Sequence, residues 1–300
     1  MLTIVIVNYK NEKQTIHFVL KELKCIECES IIVVNNGATE ESSTILCEKL
    51  SAVRVDDIEK SSIITCNRYV IHVKENKGFA VGNNIGAEFA RLHFKPQYIL
   101  FTNTDIHLQQ KNVAEKLVHI LQNKKDVGIV GPKIIGLDGR LQSPEPYIPF
   151  WHQYVSKPIT SNFWTKEKKG RILKTDYAEN AKEGYVDKVM GSFFLVDAQA
   201  FYNCGMMDPY TFLYYEELIL TERMKNIGKK VYYYPNVSVI HEHATTIKKH
   251  YSMLKMEKLN FQSAQYYYHV YKQTPLWKIK LGKILYFTFW NLILLKEQFR

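Results

Sequence analysis

Two uninterrupted apolar runs, residues 3–7 (Thr-Ile-Val-Ile-Val) and 31–34 (Ile-Ile-Val-Val), constrain this chain more than any other feature. Every residue in them is β-branched. A strand that is apolar at each position, rather than at every second one, is buried on both faces, which happens in parallel sheets covered by helices. Residues 14–23 between the runs suit a helix, so the chain opens β-α-β. Further strands are predicted at 69–73 and 98–101, with helices over 80–92 and 111–122. This alternation predicts an α/β fold with a Rossmann-like, mostly parallel central sheet flanked by helices. In the second half, 133–174 is rich in Pro, Gly and aromatics and reads as irregular. Beyond it lie an apolar stretch at 192–196, a helix at 217–227 and a strand at 230–234 closed by Pro235.

Ligands of such sheets bind beyond the carboxyl ends of the strands. The first strand ends in Asn8-Tyr9-Lys10 and the second in Asn35-Asn36-Gly37; either pair of ends also reads as ordinary turn residues. After the third strand comes Asn76-Lys77-Gly78-Phe79-Ala80-Val81-Gly82-Asn83-Asn84-Ile85-Gly86. Its glycines, every fourth residue at a helix entry, permit close packing or close approach of a ligand, and Lys77 stands where phosphate oxygens would meet a helix N-terminus. The fourth strand ends in Asn103-Thr104-Asp105. A single carboxylate there is either a helix N-cap or an oxygen ligand for a hard cation whose other ligands are phosphate and water.

The charge and the cysteines narrow the class. Forty Lys and Arg against thirty Asp and Glu give +10, which implies an anionic partner. No nucleic-acid motif is present, and the excess gathers beyond residue 270, where Lys272, Lys278, Lys280, Lys283, Lys296 and Arg300 interleave with Trp277, Tyr286, Phe287, Phe289 and Trp290. The uncharged run 284–295 is too short to span a bilayer, so residues 277–295 read as a helix lying on an anionic membrane surface; the competing use is packing on the protein's own core or in a homodimer seam. Five cysteines, with Cys25 and Cys28 lacking a second pair, read as ordinary thiols. The N-terminus has neither a basic region nor a cleavage site. A reducing, cytoplasmic location at the inner face of the membrane is expected.

Three more segments complete an ordered set: Gly191-Ser192 with its apolar run, Met207-Asp208-Pro209-Tyr210-Thr211-Phe212-Leu213-Tyr214-Tyr215-Glu216-Glu217, and Val239-Ile240-His241-Glu242-His243. With the earlier motifs, this set resembles the inverting, nucleotide-sugar-dependent glycosyltransferases of family 2, in their rhamnosyltransferase-like branch, from residue 3 to about 245. The resemblance implies a GT-A fold over 1–250, with a nucleotide half at about 1–130 and an acceptor half at about 131–250, followed by a helical extension over 251–300. It implies a nucleotide-sugar donor held by Asn8, Tyr9, Asn35, Lys77, Asn83, Asn103 and Asp105. Mg²⁺ or Mn²⁺ would be bound at Asp105 and His241, with His243 as the substitute. Glu217 would be the general base, with Glu216 its alternative, and a glycan or lipid-linked glycan the acceptor.

The chain departs from the family pattern in four places: Asn103 replaces the first acid of the metal motif, Glu217 stands where most relatives have Asp, Asn35 stands where an acid often holds the base or ribose, and Ile219 replaces the second acid of the helix motif. Arg223 is kept. The last two departures leave a second class of function open, a membrane-surface scaffold that retained the fold without catalysis. Among Tyr210, Phe212, Tyr214 and Tyr215, alternate members are expected in the core and the others facing a sugar.

Overall fold

A computed structural model describes residues 1–60, 66–156, 175–242 and 252–298. An 11-stranded sheet carries the fold. Its first half is parallel, with β1 (Leu2–Asn8), β2 (Ser30–Asn36), β3 (Val53–Val55), β4 (Arg68–Val73) and β5 (Tyr98–Thr102) ordered β3-β4-β2-β1-β5. The connections are α1 (Glu12–His17), which runs on through a π turn and a 3₁₀ turn to Cys25, α2 (Glu40–Leu50) and α3 (Phe79–His93). The second half comprises β6 (Ile106–Leu108), α4 (Val113–Asn123), β7 (Val127–Gly136), β8 (Leu141–Ser143), α5 (Thr175–Asn180), β9 (Gly184–Val186), β10 (Phe193–Asp197), α6 (Ala198–Asn203), α7 (Glu216–Asn226) and β11 (Lys230–His241). The halves join where β10 inserts antiparallel between β5 and β7; β11 then runs parallel to β7, and β6 closes the edge.

The predicted parallel strands are present, and both faces are filled as their composition requires: Ile4, Ile6, Val33 and Val70 face one cluster, Val5 and Ile99 another. Gly86 serves this packing rather than a ligand, because a Cβ there would lie 2.5 Å from Val5 Cγ1. Three local expectations are corrected. The helix α2 was not anticipated, although its signals are in the sequence: the Thr39 side chain accepts from Ser42 N at 3.1 Å, and Glu40 and Glu41 occupy the first turn. The stretch read as irregular from residue 133 begins with the end of β7, whose Gly128, Gly131 and Pro132 mask a ten-residue strand; 157–174 lies outside the described residues. Pro235 does not close the last strand, because β11 passes it through a register shift between Tyr234 and Ser238 that spares the missing N–H.

The extension over 251–300 holds α8 (Met253–Tyr266), a following turn to Tyr271, and α9 (Leu276–Gln298). They pack on α7: Phe261, Ala264, Tyr267, Tyr268 and Ile279 form one aromatic cluster with Phe150, Tyr154, Leu218 and Ile219. Gly282 lets α9 approach, since a Cβ would meet the Phe150 ring at 2.8 Å. The opposite side of α9 leaves Trp277 and Ile284 each 62% exposed, with Leu281 at 40%. The helix thus uses its own core on one side and presents an apolar stripe with Lys280 and Lys283 on the other. No helix among the described residues is long and apolar enough to cross a membrane.

Candidate active site

At the carboxyl ends of β1 and β2 the asparagines are engaged with one another. Asn8 Nδ2 donates to Asn35 Oδ1 at 2.8 Å and accepts from Thr15 at its own Oδ1. Asn35 Nδ2 donates to Ser42 and Ser43, and Ser43 reaches His72 Nδ1 at 2.8 Å. Both asparagines are about 1% exposed, so this is a sealed network that ties α1 and α2 to the strand ends. The polar group at Asn35 orients α2 instead of standing open to a ribose. Asn36 clamps the next loop: its side chain donates to Asn76 Oδ1 and Gly78 O and accepts from Lys77 N. Gly78 has φ +90° and its Cβ position is filled by Phe212, whose carbonyl accepts from Phe79 N. Lys77 is therefore held on a fixed turn with its side chain exposed, ahead of α3. Tyr9 is half-buried beside it, close to Gly37. Asn83 is buried and donates to Phe79 O, within the helix.

Asp105 and His241 do meet. Asp105 is not a helix cap; it lies between β5 and β6, 7% exposed, and its Oδ1 stands 3.3 Å from His241 Nε2. Its carbonyl accepts from Glu242 N, and Glu242 is itself held 2.8 Å from His107. Burial alone would lower His107, but the carboxylates of Glu242 and Glu22 outweigh it and raise it. His241 Nδ1 pairs with Gln142 Oε1 at 2.7 Å, which fixes the ring with Nε2 toward Asp105. A carboxylate and an imidazole suit a divalent metal, and with no group of three or more His, Cys, Asp or Glu among the described residues, diphosphate and water would have to complete its shell. His243 lies outside the described residues.

The base candidates sit at the start of α7. Tyr214 and Tyr215 precede them with φ of 73° and 72°, left-handed positions that cost bulky residues about 1–3 kcal/mol each and are found where a site fixes a side chain. Glu217 Oε1 accepts from Gly191 N at 3.0 Å. The neighbouring Ser192 accepts from Asn103 N at 2.8 Å, so the metal motif and the base share one short stretch of backbone. Glu216 is 4% exposed, with Oε1 bonded to no other protein group; burial first, then the Glu217 charge, raises it well above the carboxylate range. The pair is thereby divided by its surroundings, Glu216 buried and Glu217 hydrogen-bonded to Gly191 N on the side of the metal motif.

Three groups not anticipated from the sequence complete the surroundings. Lys188 Nζ lies 2.8 Å from Glu145 Oε2, and both are nearly buried. Burial opposes the lysine's charge, but Glu145, Glu217 and Glu216 together raise Lys188. The sequence signal was a lone lysine within Val186-Asp187-Lys188-Val189-Met190. Asp208 accepts from Tyr210 N, Tyr266 OH and Tyr271 OH, and faces Arg223. Burial would raise Asp208, yet these donors lower it. Ile219, where the family places an acid, is fully buried in the aromatic cluster under α8. The cluster also takes Tyr215, while Tyr210 stays 69% exposed and stacks on Tyr266. All five cysteines are free, and burial raises Cys28 to about 11, as expected of inert thiols.

No protein-family model matches the chain. It is 23% identical over 239 residues to the low-salt glycan biosynthesis hexosyltransferase Agl10 of Haloferax volcanii, covering 76% of this chain and 64% of that protein. Among solved structures, GalNAc-T7 with UDP, GalNAc and Mn²⁺ superposes with TM-score 0.56 at 18% identity, covering 91% of this chain and 49% of that one. The mannosyltransferase PcManGT of Pyrobaculum calidifontis, in complex with GDP-Man and Mn²⁺, superposes with TM-score 0.51 at 10% identity, over 95% of this chain and 73% of that one. The chain thus spans under two thirds of the hexosyltransferase and about half of GalNAc-T7. The sheet built around β1, β5 and β10 is thus the GT-A-type fold of these two solved structures, and the ordered motifs resemble those of the family 2 glycosyltransferases.

Proposed function

We propose that this protein is an inverting glycosyltransferase that moves a sugar from a nucleotide-sugar donor to a hydroxyl of a lipid-linked surface glycan at the cytoplasmic face of the bacterial membrane. The branch resemblance favours dTDP-rhamnose, with UDP-hexose or UDP-galactofuranose as the alternative donors. The observation that carries the reading is the backbone link between the metal motif and the base: Asn103 to Ser192, and Gly191 to Glu217.

Glu217 takes the proton from the acceptor hydroxyl as that oxygen attacks the anomeric carbon from the face opposite the leaving group. The bond from that carbon to the nucleoside diphosphate breaks and configuration inverts. Held by the Gly191 N–H, the carboxylate is oriented before the acceptor arrives. Lys77 offers a cation to the donor phosphates from its fixed turn. A divalent metal at Asp105 and His241 would neutralise the departing diphosphate, and both solved neighbours hold Mn²⁺ with a nucleotide. The exposed stripe Trp277, Leu281 and Ile284 with its lysines supports docking on anionic lipid, which would bring the site to a lipid-linked acceptor. Hydrolysis of dTDP-rhamnose and a panel of UDP-sugars, with Mn²⁺ and with EDTA, tests the reading; no turnover of any donor would overturn it.

A further inference from the structure

Glu22, His107 and Glu242 form a row of side chains that the reaction as described above does not use. The His107 ring is held from both sides: Nδ1 lies 3.1 Å from Glu22 Oε1, and Nε2 lies 2.8 Å from Glu242 Oε1. The second oxygen of Glu22 accepts from Leu108 N at 2.8 Å. β6 is the outermost strand at its end of the sheet, and an edge strand leaves backbone groups without a ladder partner. The Glu22 carboxylate, from the π turn that continues α1, covers that edge at two successive residues.

The row crosses the sheet edge directly beside Asp105 and His241. β6 and β11 run antiparallel, with His241 opposite Ile106 and Ile240 opposite His107. Just past that pairing, Glu242 N donates to Asp105 O at 3.0 Å. The bridge from His107 to Glu242 therefore joins the strand that follows Asp105 to the residue next to His241. All three side chains of the row are partly exposed, and ion pairs of that kind add at most about 1 kcal/mol to stability. Their consequence is local geometry instead. Metal–ligand distances tolerate shifts of only about 0.2 Å, and two protein ligands have no third to correct the displacement of either.

We propose that His107 is a positioning residue for the metal pair: bridged by Glu242 and braced by Glu22, it fixes the end of the β6–β11 ladder and with it the placement of Asp105 against His241. The inference rests on the metal-dependent glycosyltransferase reading above. Glu242 contributes through its backbone N–H and its hold on His107, with its carboxylate engaged there and not on the metal. Glu22 reaches the pair only through His107 and β6, so its loss should matter less.

The test is the Mn²⁺ affinity of the full chain with dTDP present, or with UDP where the chain binds that nucleotide instead, read from the free Mn²⁺ signal in electron paramagnetic resonance. No turnover is needed. In His107→Phe the affinity should fall about 10-fold or more, the scale for losing a group that orients metal ligands. His107→Gln, which can still donate to Glu242, should recover most of it, and Glu22→Ala should lose less than His107→Phe. Glu242→Gln keeps an acceptor for His107 and should bind Mn²⁺ like the parent; a loss there equal to that of His107→Phe would make Glu242 a ligand and overturn the proposal. Nucleotide affinity in EDTA, measured by calorimetry, should be unchanged in every variant, because the row touches the metal pair and not the Lys77 turn. Where His107→Phe does not fold, Glu242→Ala opens the same bridge and should show the same loss. Mn²⁺ affinity that stays at the parental value in the folded variant, or falls only together with metal-free nucleotide affinity, overturns the proposal while leaving the glycosyltransferase reading intact. A parent that binds no Mn²⁺ with either nucleotide overturns the metal site itself.

Discussion

The backbone N–H of Gly191 and the carboxylate of Glu217 are joined at 3.0 Å, and Gly191 has no room for a side chain because a Cβ would collide with that carboxylate. This contact ties the proposed base to the loop that also receives Asn103. Glu217→Gln should lose at least about 10²-fold in turnover with donor affinity kept, the scale of a positioned base. Gly191→Ala should also lose on the order of 10²-fold, because it displaces the same carboxylate. Turnover at parental level in Glu217→Gln, measured by donor hydrolysis, would move the role to Glu216.

Glu216 gives a stability prediction with a definite sign. Folding raises it well above 4.5, so the folded state binds a proton that the unfolded chain releases. The stabilisation is full below the unfolded value and is lost as pH rises through the folded one. From pH 4.5 upward the melting temperature of the parent should therefore fall relative to that of Glu216→Gln. Parallel melting curves would show that Glu216 titrates alike in both states.

Asp105→Ala and His241→Ala should each abolish Mn²⁺-dependent donor binding, read by calorimetry with dTDP. Unchanged Mn²⁺ dependence in either variant would remove that residue from the metal site. Asp105 lies in a strand connection with His241 Nε2 3.3 Å away, so the double variant Asp105→Ala/His241→Ala removes both partners of the contact and should melt close to the parent.

Ile219→Asp restores the family's acid at a position buried beneath Tyr267 and Tyr268. It should destabilise the fold by about 3–5 kcal/mol, as an unpaired buried charge does. Urea unfolding measures this. A stable, active variant would show that the aromatic cluster admits water.

Deleting residues 276–300 is a poor probe of membrane docking, because it strips Ile279 and Gly282 from Phe150 and Tyr154 and should lower stability. Replacing only Trp277, Leu281 and Ile284 by serine leaves that packing in place. This variant should lose sedimentation with anionic vesicles, and the parent should bind less tightly as salt rises. Vesicle binding that survives the substitutions would place the docking surface elsewhere.

The β-branched runs of β1 and β2 determined the parallel half by themselves, because a strand buried on both faces is apolar along nearly its whole length; the polar Thr3 and Ser30 at the start pair with each other. The ordered motifs likewise brought Asp105, His241, Glu216 and Glu217 forward from the sequence. Other features depended on contacts between distant segments. Asn8 and Asn35 look alike in a strand-end motif whether they face a ligand or each other, and only the approach of α2 seals them. The division of Glu216 from Glu217 depends on which carboxyl is buried at the start of α7, where two left-handed tyrosines lead the chain into the helix. Lys188 and Glu145 carry no local pattern at all; a backbone bridge between separate chain segments makes them a pair. Local periodicity reports which face of an element is apolar, whereas the partner of a buried polar group is set by whichever segment the fold places against it.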